Sequence, residues 1–159
     1  MRLLVGLGVT VLGLCAGLGW YLAPLEPNIL ALQFAYTPRA FAAVIHVWPA
    51  EHLARYRAHL PVDGLLLLAY GTWGYLFASR NVLWKHLGGV SRWVGIWALP
   101  LAAACDAVED GLHWWLTEVP RFDLPLPYLL AGFSASLKWI MALAFLAAIL
   151  YAISRAPED

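Results

Sequence analysis

Residues 128–152 read YLLAGFSASLKWIMALAFLAAILYA, an apolar run with one charge, Lys138, near its middle. A helix needs about 20 mostly apolar residues to cross a hydrocarbon core of about 30 Å, and this run is long enough. The run before it, residues 94–117, reads VGIWALPLAAACDAVEDGLHWWLT and carries Asp106, Glu109, Asp110 and His113. A charge at mid-bilayer depth costs about 2.5–3.5 kcal/mol on insertion scales. Such residues are therefore paired, neutralised or turned toward a cavity. Read together, the two runs specify an all-α chain whose helices cross a membrane with their polar residues inside.

Working outward, two more segments have the length to span, giving four at about 3–24, 62–79, 94–117 and 128–152. The expected architecture is a four-helix transmembrane bundle forming a single integral membrane domain over residues 1–159. Composition agrees: 62% of residues are hydrophobic, 13% are charged and the mean hydropathy is +0.70, against roughly 45–50% apolar in soluble domains. The formal net charge is zero, which leaves no electrostatic footprint for nucleic acid. Cys15 and Cys105 both sit in apolar runs and form no CxxC, so neither a disulfide framework nor a thiol oxidoreductase is indicated. In the first run Ala23 is followed by Pro24, a poor cleavage site, and the run is read as a retained span rather than a signal peptide. Its Gly13 and Gly17 permit close helix packing.

Residues 37–60 have the punctuation of an amphipathic helical insert between helices 1 and 2. Thr37-Pro38 is an N-cap and first position, and Phe41, Ile45 and Trp48 follow at helical spacing. Pro49 restarts a second short helix in which Leu53, Tyr56 and Leu60 form a stripe. The pair is expected to lie on the bilayer surface or to cap the bundle. Trp20, Tyr21, Trp114, Trp115 and Tyr128 fall toward one interface, and Trp84, Trp93, Trp97 and Tyr151 toward the other. Arg80, Lys85 and Arg92 in one short loop favour both termini in the cytoplasm.

The spacing of Asp106, Glu109, Asp110 and His113 is i, i+3, i+4, i+7, so all four share one face of the third span. Three acids near the centre cost about 8 kcal/mol together, more than the aliphatics of this span return at about 0.3–0.6 kcal/mol each. The fourth span tolerates its one lysine by the same arithmetic. At about 1.5 Å rise per residue, Lys138 and Asp106 lie at matching depths in antiparallel spans. The expected buried ion pair is Lys138 with Asp106 or Glu109, with Ser134 one turn away as a further partner. Asp63 opens the second span at the side where Asp110 and His113 end the third, Tyr70 follows on its face, and Trp73 lies nearby. Pro100 is placed to kink the third span beside the cluster.

Arg57-Ala-His-Leu60-Pro-Val-Asp63 with Tyr70, then Asp106-Ala-Val-Glu109-Asp110, then Lys138-Trp139 resembles a group of small bacterial four-span membrane proteins. The resemblance covers roughly residues 30–150. It implies a four-helix bundle and a bacterial inner membrane, and no activity. In layout alone the chain is similar to the sterol-isomerase and sigma-2-receptor superfamily, whose small bundles place intramembrane acids around a lipophilic pocket.

The functional expectation is a protein that binds or carries a lipophilic or amphipathic small molecule. Its ligand-binding residues would be Asp63, Tyr70, Trp73, Asp106, Glu109, Asp110, His113 and Lys138. Carboxylates beside aromatic rings suit a cationic ligand. Two alternatives accompany it: an accessory subunit of a larger membrane complex, and an intramembrane acid–base enzyme acting on a lipid-like substrate through Glu109, Asp110 and His113. A structural role is the bland alternative, since an ion pair can simply fix helix register. No cofactor is expected. His46, His52, His59 and His86 fall outside the spans, His52 and His59 at solvated positions, and haem or metal would need facing ligands that only His113 offers from within a span.

Overall fold

The computed structural model describes residues 2–84 and 87–155, so Lys85 and His86 lie outside the described residues. Among these there are six α-helices, one 3-10 turn at Val82–Trp84 and no strand. The helices are α1 (Arg2–Leu22), α2 (Ile29–Gln33), α3 (Pro38–Ile45), α4 (Ala50–Arg80), α5 (Gly89–Glu118) and α6 (Pro125–Ser154). The chain is all-α. Two helices, α1 and α6, are long and apolar enough to cross a membrane, each with a mean hydropathy of 2.0. By that measure α4 and α5 fall short although they have 31 and 30 residues.

Local chemistry explains the short helices. Asn28 caps α2 by accepting from the Ala31 amide at 3.2 Å. Thr37 caps α3 by accepting from the Ala40 amide at 3.1 Å, with Pro38 in the first turn. Side-chain oxygens at these positions satisfy amides that have no partner within the helix. Their apolar faces turn inward: Leu32, Phe41, Ile45 and Trp48 are buried with Tyr56, Leu60, Leu116 and Tyr128. The insert is thus a cap over one end of the bundle.

Two expectations are corrected here. The second short helix after Pro49 does not exist as a separate element, and the span expected at 62–79 does not begin at Pro61. Both belong to the single helix α4, which runs through Pro61. Pro61 is exposed, so its ring projects away from the packed side, and the helix loses one backbone hydrogen bond without breaking. The amphipathic stripe of 50–60 is therefore continuous with the apolar stretch that follows.

Helices α4, α5 and α6 form the centre of the molecule, α5 packing on both neighbours, and α1 packs chiefly on α4. Small residues set the approach of α4 to α5: a Cβ added at Gly74 would lie 2.6 Å from the Leu99 Cβ. Trp84 is buried, with its ring lying over Gly95. Tyr128 is also buried. By contrast, an added Cβ at Gly13 or Gly17 meets nothing within 4 Å, so this pair on α1 makes no close helix contact.

Along its axis the bundle has three zones. One end is the capped apolar cluster. The other holds Ala78, Trp84, Ala98, Phe145 and Ala148 with stacked aromatic rings. Between them lies a layer of buried polar side chains.

Candidate functional site

The polar layer is built on Lys138 of α6. Its Nζ lies 2.6 Å from Asp106 Oδ1 and 2.6 Å from Glu109 Oε2, both on α5. The ammonium bridges the two acids rather than choosing one. All three are buried, Glu109 to 1% exposure and Lys138 to 8%. Charge-assisted contacts of this length offset much of the desolvation that burial imposes.

The network extends from both acids. Tyr70 of α4 donates to Asp106 Oδ2 at 3.0 Å. Glu109 Oε1 lies 3.8 Å from His113 Nδ1, one turn along α5. That nitrogen is 2.7 Å from the Tyr56 hydroxyl, which α4 supplies from within the capped end. A polar chain therefore runs Tyr70, Asp106, Lys138, Glu109, His113, Tyr56. Its two ends come from one helix because Tyr56 and Tyr70 lie on the same face of α4.

A second group lies beside it. Asp63, Asp106 and Asp110 each place a carboxylate oxygen within 4.8 Å of the others. Asp110 Oδ2 is buried without a hydrogen-bond partner among the described residues. Three carboxylates suit a hard cation, but the ammonium already held on Asp106 competes for that position. Counting all members, four carboxylates stand against one ammonium.

Of the residues expected at the site, Asp63, Tyr70, Asp106, Glu109, Asp110, His113 and Lys138 come together. Trp73 does not. It donates to the Leu4 carbonyl at 3.2 Å and stacks on Phe77, which anchors α1 to α4. Ser134 makes no hydrogen bond among the described residues, whereas Ser136 bonds Tyr36 of the insert. Pro100 borders an outer groove with Gly71, Tyr75 and Trp97 instead of opening space at the cluster.

Two members were not anticipated. Tyr56 reads in sequence as part of an amphipathic stripe, and His59 as a solvated histidine, yet His59 is only 3% exposed. The usable signal was register: 56, 59, 63 and 70 share a face of one helix, which becomes visible only if Pro61 is read as interior to it.

Around the capped end, Arg57 donates to the Trp114 carbonyl at 3.3 Å and to Thr117 Oγ1 at 3.3 Å. Arg55 donates to the Tyr21 carbonyl at 3.1 Å. These tie α4 to α5 and α1 just above the polar layer. Compared with known protein families, characterised proteins and solved structures, the chain matches none.

Proposed function

We propose that this chain is a membrane protein spanning four times, through α1, α4, α5 and α6, that binds a lipophilic or amphipathic molecule carrying positive charge. The carboxylates of Asp63, Asp106 and Asp110 would be its counter-charge. The observation that carries this reading is the imbalance inside the bundle, four carboxylates to one ammonium, with an oxygen of Asp110 left unpartnered. Carboxylates in such excess, Asp106 and Glu109 buried and Asp63 and Asp110 half-buried, call for protons, water or a cation.

Support for four spans comes from which way the side chains face. The mid-helix charges of α5 and α6 are gathered inside, Asp106, Glu109 and Lys138 being buried, while Leu65, Leu68, Val108, Leu143 and Leu150 are exposed. Only 17% of the apolar window of α6 and 6% of that of α1 are buried. Outward apolar and inward polar surfaces are what a hydrocarbon solvent favours. At about 1.5 Å per residue, α4 and α5 are each about 45 Å long, ample for a core of about 30 Å. Both termini on the cytoplasmic side of a bacterial inner membrane complete the proposal.

The test uses protein purified in a mild nonionic detergent. Native mass spectrometry and organic extraction should find a bound lipophilic cation, or added dodecylamine should raise the melting temperature by several degrees. The Asp63→Asn/Asp110→Asn variant should lose that shift. No bound molecule and no shift with any amine would falsify the reading.

A second reading, proton transfer on a lipid-like substrate, draws on the contact of Tyr56 with His113 and of His113 with Glu109. It places an acid and a base one helical turn apart. It requires turnover to vanish in both Glu109→Gln and His113→Gln, and activity surviving in either variant excludes it.

A further inference from the structure

Between α1 and α4 runs a lateral groove of about 410 Å³, lined among others by Gly13, Gly17, Leu18, Tyr21, His59 and Val62. That volume lies within the range of about 300–1,000 Å³ typical of small-molecule sites. Its α1 wall includes two glycines, Gly13 and Gly17. A Cβ added at Gly13 or Gly17 would meet nothing within 4 Å, so these residues keep space clear where they do not bring helices together.

Two side chains with polar groups, Tyr21 and His59, line this otherwise apolar groove. His59 is buried to 3% exposure and lines the groove. Its Nδ1 is hydrogen-bonded to the Tyr56 carbonyl. A carbonyl only accepts, so Nδ1 carries the proton, and Nε2 of the neutral ring is an acceptor. No described residue donates to that nitrogen. The acid of Asp63 lies one turn further along the same helix, with Asp106 and Asp110 beside it.

We infer that the groove between α1 and α4 holds the aliphatic chain of a single-chain amine whose headgroup donates a hydrogen bond to His59 Nε2. This rests on the reading of the acidic layer as a site for positive charge and adds the shape of the ligand. The largely apolar lining suits an aliphatic chain, the acids one turn beyond His59 select a cation, and the free acceptor selects an N–H over a fully methylated nitrogen.

Dodecylamine and dodecyltrimethylammonium are the probes, titrated by calorimetry into detergent-purified protein. The wild type should bind the primary amine about tenfold more tightly, the scale of one hydrogen bond from a charged donor. His59→Leu should erase that preference by weakening the amine alone. Gly17→Leu, which fills the groove, should weaken both probes at least tenfold. A dodecylamine with a diazirine in its tail should label residues 13–21 and 58–62, a measurement that decides the matter even if Gly17→Leu fails to fold. Label elsewhere in the bundle, or undiminished binding to folded Gly17→Leu, overturns the groove assignment while leaving the acidic site standing. Binding that survives Asp63→Asn/Asp110→Asn but is lost in Gly17→Leu overturns only the acidic site. Absence of any amine binding overturns both.

Discussion

Helices α1 and α5, of 21 and 30 residues, make opposite use of their chain. Helix α1 is among the most apolar segments and one of the least buried, with 6% of its hydrophobic window covered. Helix α5 is broken up by acids, yet Asp106, Glu109 and His113 on it are nearly inaccessible. Some of their glycines differ in the same sense. Gly95 of α5 receives the ring of Trp84, whereas a Cβ added at Gly13 or Gly17 of α1 would meet nothing within 4 Å, although Gly8 of α1 lies against Trp73. In this pair the apolar helix is the more exposed and the acidic one holds its charges inside, while both ends of the molecule keep buried apolar clusters.

The comparison fails if the acids of α5 are not held by α6. Lys138→Met should therefore have the largest effect, about 3–5 kcal/mol of lost stability, because it leaves two buried acids without their cation. Unfolding in mixed detergent micelles measures it. Adding Asp106→Asn and Glu109→Gln to Lys138→Met should recover most of the loss, and a single-variant cost below about 1 kcal/mol would contradict the pairing.

Next in size is the close approach of α4 and α5. Gly74→Val should cost about 1–3 kcal/mol by overpacking against Leu99, whose Cβ would lie 2.6 Å from the new carbon. Smaller again is Tyr56→Phe, which removes the 2.7 Å bond to His113 and should cost about 1 kcal/mol. The smallest effect has the opposite sign. Gly13→Ala on α1 should stabilise by about 0.5–1 kcal/mol, since alanine favours the helix and its methyl meets nothing within 4 Å. If Gly13→Ala instead destabilises, α1 packs more closely than described and the contrast with α5 collapses.

Much of the centre was legible because helical spacing is a strong signal. Asp106, Glu109, Asp110 and His113 lie on one face by arithmetic, and depth matching brings Lys138 level with them. The bridging of both acids by one ammonium was not legible, since it depends on how α6 is rotated. Trp73 was misplaced for a related reason. Its distance in sequence from Tyr70 puts it near the site, but its ring follows the face of α4 that meets α1. The reading of Pro61 as a boundary concealed Tyr56 and His59, and with them the continuity between cap and polar layer. The Gly13–Gly17 spacing misled because a glycine pair can leave a helix face unfilled as readily as it can admit a neighbour.

The bond between Lys138 and Asp106 joins residues 32 positions apart, and this separation fixes an order of events during biosynthesis. In the four-span arrangement proposed above, a ribosome delivers α5 to the membrane before it has made α6. Until Lys138 emerges, Asp106 and Glu109 have no cation, and the nascent α5 must stay protonated, hydrated or sheltered by the insertion machinery. The last helix to be translated is thus the one that lets the preceding helix settle. A chain stalled on a spacer long enough to clear the ribosomal exit tunnel after Glu118 should remain crosslinked to that machinery, and one with the same spacer after Ser154 should be released.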